Sequence, residues 1–322
     1  MNKVSWGIIG CGDVSEVKSG PAFSLVPNSE LVAVMRRDAA KAEDYAKRHN
    51  VKKWYCDAGN LINDDEVNAI YIATPPAYHE AYALQAFEAG KPVYVEKPMA
   101  LDYAEADRMR KASEQHSSKL SIAHYRRAQP RSIKILQLLN EKAIGDILSV
   151  DLRFRQAYQA GSENTWRTNP AVSGGGLFHD LAPHQLDLMT FFFGDPLKVE
   201  GTSLNRANLY DADDYASADI LFQNDVKFTG VWDFNARLGD EIDICAIQGT
   251  SGMIRFEVFG AICELVTNGQ TQRLEFDHLP HVQQPMIEQV VRYFLDQAAN
   301  PCSAKDAVEV MRMIDKITGK LN

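Results

Sequence analysis

Gly7-Ile8-Ile9-Gly10-Cys11-Gly12-Asp13-Val14-Ser15 closes the first apolar run of the chain, Val4–Ile9, and carries straight on from it. A short apolar run that ends in closely spaced glycines and then turns helical is how a dinucleotide-binding βαβ unit opens. Gly10 permits the tight turn after the strand. Gly12 lets backbone amides approach a pyrophosphate where Asp13 and Val14 begin a helix. A glycine pattern alone is a weak sign; its place at the head of a βαβ series strengthens it. Two features depart from the usual pattern. Ser15 stands where a third glycine or alanine is customary, and Gly20-Pro21 interrupts the expected helix. Pro21, suited to a first helical position, marks where that helix should restart.

Outward from this stretch, short strand-like runs alternate with helical patterns as far as residue 123. The strands are predicted at Val4–Ile9, Leu31–Met35, Ala69–Ala73, Pro92–Glu96 and Leu120–Ala123, and the helices at Asp38–His49, Ala77–Ala89 and Ala104–Gln115. Such alternation specifies a doubly wound parallel sheet. After a helix at Arg131–Asn140 the texture changes. Ile147–Gln156 alternates polar and apolar residues as a half-buried strand does, Gly176–Phe193 reads as a helix, and Val199–Phe276 is a series of strands separated by turn signals such as Asn268-Gly269. That series predicts a mostly antiparallel sheet with one face free to pack. Helices at Met286–Ala298 and Ala304–Lys320 close the chain. The expected organisation is α/β throughout, with a nucleotide domain over 1–123 and a second domain over 124–322.

Composition narrows the partners. The chain has 322 residues and a net charge of −9, an acidic balance that disfavours nucleic acid and anionic membranes. No run reaches the ~20 apolar residues of a membrane helix. The first residues lead directly into a strand without the apolar region of a secretory leader, so a cytoplasmic location is expected. The 5 cysteines are scattered without CxxC or Cys/His ligand spacing, which reads as reduced, mostly buried thiols and no metal site.

Three places carry chemistry. The second strand ends Val34-Met35-Arg36-Arg37, two guanidinium groups where NAD-binding chains place the carboxylate that holds the ribose hydroxyl. Arginine suits a phosphate, so NADP is favoured over NAD. The fourth strand ends Glu96-Lys97-Pro98, and strand ends of a doubly wound sheet face the ligand crevice. Lys97 there would polarise a substrate oxygen during hydride transfer, with Glu96 orienting or balancing it. Further on, Asp180 and His184 lie four apart, on one helix face, behind the run Gly174-Gly175-Gly176. His184 suits proton exchange with a substrate hydroxyl near neutral pH, Asp180 would orient it or bind a neighbouring hydroxyl, and the glycines would let the helix start approach a ligand.

In order, Gly10-Cys11-Gly12, Ala73-Thr74-Pro75-Pro76 with His79, Glu96-Lys97-Pro98, Tyr125-Arg126-Arg127, Trp166-Arg167 and the glycine run with Asp180 and His184 resemble the glucose–fructose oxidoreductase/inositol dehydrogenase/rhizopine catabolism protein family across nearly the whole chain. The resemblance implies a Rossmann domain followed by an α/β domain with a large open sheet used for dimer or tetramer contacts. It implies a last helix, 304–320, packed back on the nucleotide domain. It makes Lys97, Asp180 and His184 the catalytic set and leaves open whether Lys97 or His184 carries the proton. Ala73, Thr74, Pro75, Pro76, His79, Glu96, Arg126, Trp166 and Arg167 become neighbours of the cofactor. Sugars, polyols and related cyclic alcohols become the substrate class.

The expectation is therefore an NADP(H)-dependent oxidoreductase. Two alternatives stay in view. One is a glycoside hydrolase that oxidises its sugar transiently with bound NAD, against which Arg36 and Arg37 speak. The other is a non-catalytic dinucleotide sensor, against which the presence of Lys97, Asp180 and His184 speaks.

Overall fold

The computed structural model describes residues 2–321, and the chain divides into two compact units, Met1–Gln129 with His278–Val308 and Pro130–Asp277 with Glu309–Asn322. The first unit begins with β1 (Val4–Ile9), the short helices α1 (Asp13–Val17) and α2 (Ala22–Leu25), and β2 (Ser29–Met35). Then follow α3 (Ala39–Arg48), β3 (Lys53–Tyr55), α4 (Ala58–Ile62), β4 (Ala69–Ile72), α5 (His79–Glu88), β5 (Val93–Val95), α6 (Tyr103–Gln115) and β6 (Leu120–Ile122). The six strands form one all-parallel sheet in the order β3-β2-β1-β4-β5-β6. Strand order reverses between β1 and β4, and the crevice for a ligand in such a sheet lies beyond the carboxyl ends at that point. Strand β3 and helix α4 are additions to the sequence expectation. Lys-Trp-Tyr is too short and too exposed to show an apolar pattern, and it pairs on one side only, with β2.

One face of this sheet carries an aromatic cluster. Trp6 lies 4.8 Å from Phe23 and 5.4 Å from Phe294, Phe23 lies 5.0 Å from Tyr71, and Tyr71 stacks on Tyr94 at 5.2 Å. Ring faces and edges attract beyond the area they bury, so the cluster is rigid as well as apolar.

The second unit comprises α7 (Pro130–Asn140), β7 (Ile147–Ala157), α8 (Pro170–Ser173), α9 (Leu177–Phe193), β8 (Pro196–Leu204), β9 (Tyr215–Phe222), β10 (Lys227–Ala236), β11 (Ile242–Gly249), β12 (Gly252–Phe256), β13 (Cys263–Thr267) and β14 (Gln270–Arg273). Its eight strands run β14-β13-β12-β11-β7-β10-β9-β8, antiparallel except for the parallel pair β7–β10. Alternate residues of β7 and β10 are buried, and Trp232 on β10 fixes α9 on that face through Nε1 to Gln185 Oε1 at 2.7 Å. The sheet is thus mostly antiparallel, as its sequence texture indicates.

Helix α10 (Gln284–Phe294) belongs to the first unit, and α11 (Ala304–Ile317) begins in the first and ends in the second. Both stop before their apolar periodicity does. Asp296 adopts φ +60° beyond the end of α10 and Gly319 φ +70° beyond the end of α11, conformations no right-handed helix can contain.

Candidate active site

The glycine turn sits at the switch point. Gly10 N–H and Cys11 N–H both donate to Met35 O, at 2.9 and 3.2 Å, and Ala73 N–H donates to Ile9 O at 2.8 Å, so the loops after β1 and β4 lie side by side. Gly10 has φ +95°, and a side chain there would press on Thr74 Cγ2 and the Ala73 carbonyl. Gly12 differs: a Cβ built on it meets nothing nearer than Gly10 O at 3.9 Å. The space over Gly12 is open, and close by Thr74 Oγ1 is a buried hydroxyl without a hydrogen-bond partner among the described residues. A pyrophosphate, which needs amide donors and room to approach them, fits this cradle.

The interrupted helix has a packing reason. Ser15 is fully buried and donates from Oγ to Gly12 O at 2.8 Å, while Ser15 O accepts from Tyr45 Oη at 2.8 Å and from Gly20 N–H at 3.1 Å. A Cβ at Gly20 would collide with Ser15 O and the Tyr45 hydroxyl. The close approach that a third glycine normally allows is made at Gly20 instead. The helix resumes at Ala22 with Pro21 as its cap, one residue later than the sequence suggested. Between Gly10 and Gly12, the buried Cys11 thiol is pushed up to about 11 by burial and stays protonated at neutral pH.

At the end of β2, Arg36 Nη1 donates to Cys11 O at 3.3 Å, which seats one guanidinium beside the glycine turn. Arg37 lies over the Tyr78 ring at 5.1 Å. The nearest following acid, Asp38, is committed elsewhere: it caps α3 by accepting Lys41 N–H at 3.2 Å and pairs with Lys41 Nζ at 3.3 Å. Arg126 sits half-buried over the Tyr125 ring, 5.4 Å away. Its neighbour Arg127 is buried and pairs with Asp306 at 2.9 Å.

Past β5, half-buried Lys97 starts a turn whose Lys97–Pro98 peptide is cis. Glu96 is 5% exposed; its Oε2 accepts Lys97 N–H at 3.2 Å, and its Oε1 accepts from Tyr71 Oη at 2.5 Å and Gln283 Nε2 at 2.6 Å. His79 is a brace, not an open ligand. Fully buried at the start of α5, it packs between Thr74 O (2.8 Å from Nε2) and the Pro98 and Met99 carbonyls (3.1 and 3.3 Å from Nδ1). Burial pulls its pKa down to about 4, so at neutral pH the ring is uncharged and its single N–H donates to one of these two sides only.

In the second unit, Trp166 and Arg167 lie in a short 3-10 turn before α8, the guanidinium stacked 4.5 Å from the indole, and Arg167 Nε donates to Asp180 Oδ2 at 3.2 Å. Asp180 and His184 occupy one face of α9, His184 4% exposed and edge-on to Phe259 at 5.6 Å. The glycines before α9 make room for the protein itself. A Cβ at Gly175 would enter the His179 ring, and one at Gly176, where φ is +83°, would strike the Ala212 methyl. Burial lowers His179 to about 3, so it too is neutral, and Lys320 Nζ reaches both its Nε2, at 3.4 Å, and Gly174 O.

Residues 4–124 match the family described as oxidoreductase family, NAD-binding Rossmann fold, and residues 133–255 match the GFO/IDH/MocA C-terminal domain. The chain is 44% identical over 322 residues to Oxidoreductase P35 of Formosa agariphila, covering 99% of each chain. It belongs to the GFO/IDH/MocA oxidoreductase family. It is also 26% identical to the trans-1,2-dihydrobenzene-1,2-diol dehydrogenase of Sus scrofa, over 85% of this chain and 81% of that one. Its fold is that of levoglucosan dehydrogenase in complex with NADH and levoglucosan, with a TM-score of 0.87 at 21% identity, covering 98% of this chain and 96% of that one. A nicotinamide dinucleotide is therefore the cofactor class. Among the described residues, no helix is long and apolar enough to cross a membrane.

Within this family member the sequence reading missed the residues under the lysine turn: Ser19, Tyr71 and Gln283. The alternate spacing of Tyr94 and Glu96 at the end of one strand is the signal that could have pointed to a shared face. Gln283 carried no signal, because it reaches Glu96 from 187 residues away.

Proposed function

We propose that the protein is an NADP(H)-dependent oxidoreductase that moves a hydride between nicotinamide and a carbon of a sugar, polyol or similar cyclic secondary alcohol or ketone. The observation that carries the cofactor preference is the seat of Arg36: its guanidinium is tied to the glycine turn, while Asp38 is spent on capping α3. A planar cation there suits a 2′-phosphate, and no carboxylate at the end of β2 is left to hold a free ribose hydroxyl. The substrate class is supported by membership of the family and by the likeness to an enzyme named for a cyclic diol.

The chemistry that a bound dinucleotide would supply is the gain or loss of a hydride at nicotinamide C4. Lys97 is assigned to hydrogen-bond the substrate oxygen and stabilise its developing charge. In oxidation the hydroxyl proton passes to His184 or Lys97 as the C–H bond gives up its hydride; in reduction both return. Asp180, held by Arg167, is assigned to orient His184 or a neighbouring substrate hydroxyl.

Titration with NADPH and NADH, followed by nicotinamide fluorescence, tests the preference. NADPH should bind about tenfold or more tighter, and Arg36→Ala should remove most of that difference. Tighter binding of NADH would reverse the assignment. A panel of aldoses and polyols with NADP⁺, read by absorbance, tests the reaction. Release of nitrophenol from aryl glycosides with no net change in cofactor would move the protein to the hydrolase reading.

A further inference from the structure

The break in the first helix delivers a side chain into the interior. Ser19 is fully buried, and its Oγ lies 3.1 Å from Tyr71 Oη. That phenol has one proton, which the 2.5 Å contact with Glu96 Oε1 takes, and the Ser19 hydroxyl lies within reach of both the phenol oxygen, at 3.1 Å, and Val14 O, at 3.4 Å. Burial holds the Tyr71 and Tyr94 hydroxyls far above their ordinary range, so both keep their protons. The two tyrosines are register partners on β4 and β5, which places them on one face, and Glu96 follows two residues after Tyr94. Gln283 completes the group: it donates from Nε2 to Glu96 Oε1 at 2.6 Å, receives Tyr94 Oη on Oε1 at 3.4 Å, and donates its backbone N–H to Lys18 O at 3.1 Å. Two residues earlier, His281 Nδ1 meets Val17 O at 2.6 Å.

The end of α1 and the lysine turn are thus held by one set of hydrogen bonds. We propose that Ser19, Tyr71 and Gln283 are positioning residues for Lys97: they fix the Glu96 carboxylate, whose second oxygen carries the first amide of the lysine turn, and they key that turn to the segment following the pyrophosphate loop. A carboxylate buried to this degree is strongly directional, because its donors are few and each lost donor is felt in a low-dielectric site. The proposal rests on the assignment of Lys97 to catalysis, but its consequences for the turn can be read without any substrate.

The test uses the full chain with Tyr71→Phe, Gln283→Leu and Glu96→Gln, alone and in pairs. Two signals are measured: NADPH affinity by fluorescence, and the rate of Lys97 acylation by acetic anhydride across pH, read by mass spectrometry. Tyr71→Phe and Gln283→Leu should each change the Lys97 acylation rate and weaken NADPH by about tenfold, the scale of one hydrogen bond to a charged group. In the Glu96→Gln background the same substitutions should change either signal by less than about twofold, since their path runs through that carboxylate. Lower melting temperatures with acylation profile and affinity both unchanged would reduce the network to a structural role. Full effects that persist in the Glu96→Gln background would also overturn the proposal. Should Gln283→Leu fail to fold, Tyr71→Phe, which deletes one oxygen, carries the same cycle. Failure of the wild-type chain to bind NADPH or NADH would strike the functional reading instead, while the acylation measurement would still decide this one.

Discussion

Two glycine-rich turns precede helices in this protein, and they do opposite things. Both contain a left-handed glycine, Gly10 at φ +95° in one and Gly176 at +83° in the other. At Gly12 the volume a side chain would claim is open, whereas at Gly175 and Gly176 it is filled by the His179 ring and the Ala212 methyl. The first turn withholds its own atoms from a space that a pyrophosphate can take. The second uses glycine so that the protein can pack on itself and set the start of the helix that bears Asp180 and His184. From sequence the two looked alike, and the second was expected to admit a ligand. What separates them is what stands opposite each glycine, and that is a tertiary fact.

The contrast predicts opposite phenotypes. Gly176→Ala combines a backbone conformation reserved for glycine (φ +83°, ψ −154°) with overpacking against Ala212, and should cost about 4 kcal/mol of stability. Gly12→Ala keeps an ordinary φ of −125° and meets no neighbour, so it should change stability by less than about 0.5 kcal/mol. It should instead weaken NADPH by about tenfold, because its methyl occupies the ligand's approach. Thermal melts and nucleotide titrations on the same two proteins check both halves. A Gly12→Ala protein that melts early but binds normally would erase the distinction.

Each turn also has a buried neutral histidine behind it. His79 titrates near 4 in the folded protein against an ordinary 6.5, so the unfolded chain binds its proton first. Its contribution is whole above pH 6.5 and is lost as pH falls toward 4, amounting to about 2 kcal/mol between pH 7 and pH 5. His79→Gln should melt lower than wild type at pH 7, yet its melting temperature should fall less steeply from pH 7 to pH 5. Parallel curves for the two proteins would mean that His79 is not what makes the first unit sensitive to acid.

How much of the molecule is legible in its sequence follows from where each signal lives. The Rossmann half was legible because β1, β2 and β4 are buried apolar runs, and because α3 and α6 carry side-chain caps of their own in Asp38 and Asp102. Lys97, Asp180 and His184 were legible because each belongs to a short ordered motif. Strand β3 was not, since an exposed three-residue edge needs only β2 to exist. The loop that holds His79 was legible, but the work of its ring was not. The carbonyls that meet both sides of that ring come from 74, 98 and 99 and converge only when folded. Ser15 and Gly20 looked like defects in the dinucleotide pattern until the contact of Gly20 with Ser15 O and Tyr45 gave both a reason.

The smallest effect probes the second turn from its far side. Lys320 Nζ donates to Gly174 O and lies 3.4 Å from His179 Nε2, a cation against a ring that burial already keeps neutral. Lys320→Met should cost about 1 kcal/mol at neutral pH, the value of one partly exposed hydrogen bond from a charged donor. The charge itself acts with pH. Lys320 depresses the His179 pKa, after burial the second contribution to its fall to about 3. Without it the folded protein accepts a proton on His179 more readily, so the deficit of Lys320→Met should hold steady through mildly acid pH and shrink only as pH falls through the variant's raised His179 pKa toward 3. Melting curves of the variant and wild type should therefore converge in acid. A gap that stays constant with pH would show that Lys320 acts on the turn through Gly174 alone, leaving the histidine beneath it electrostatically isolated.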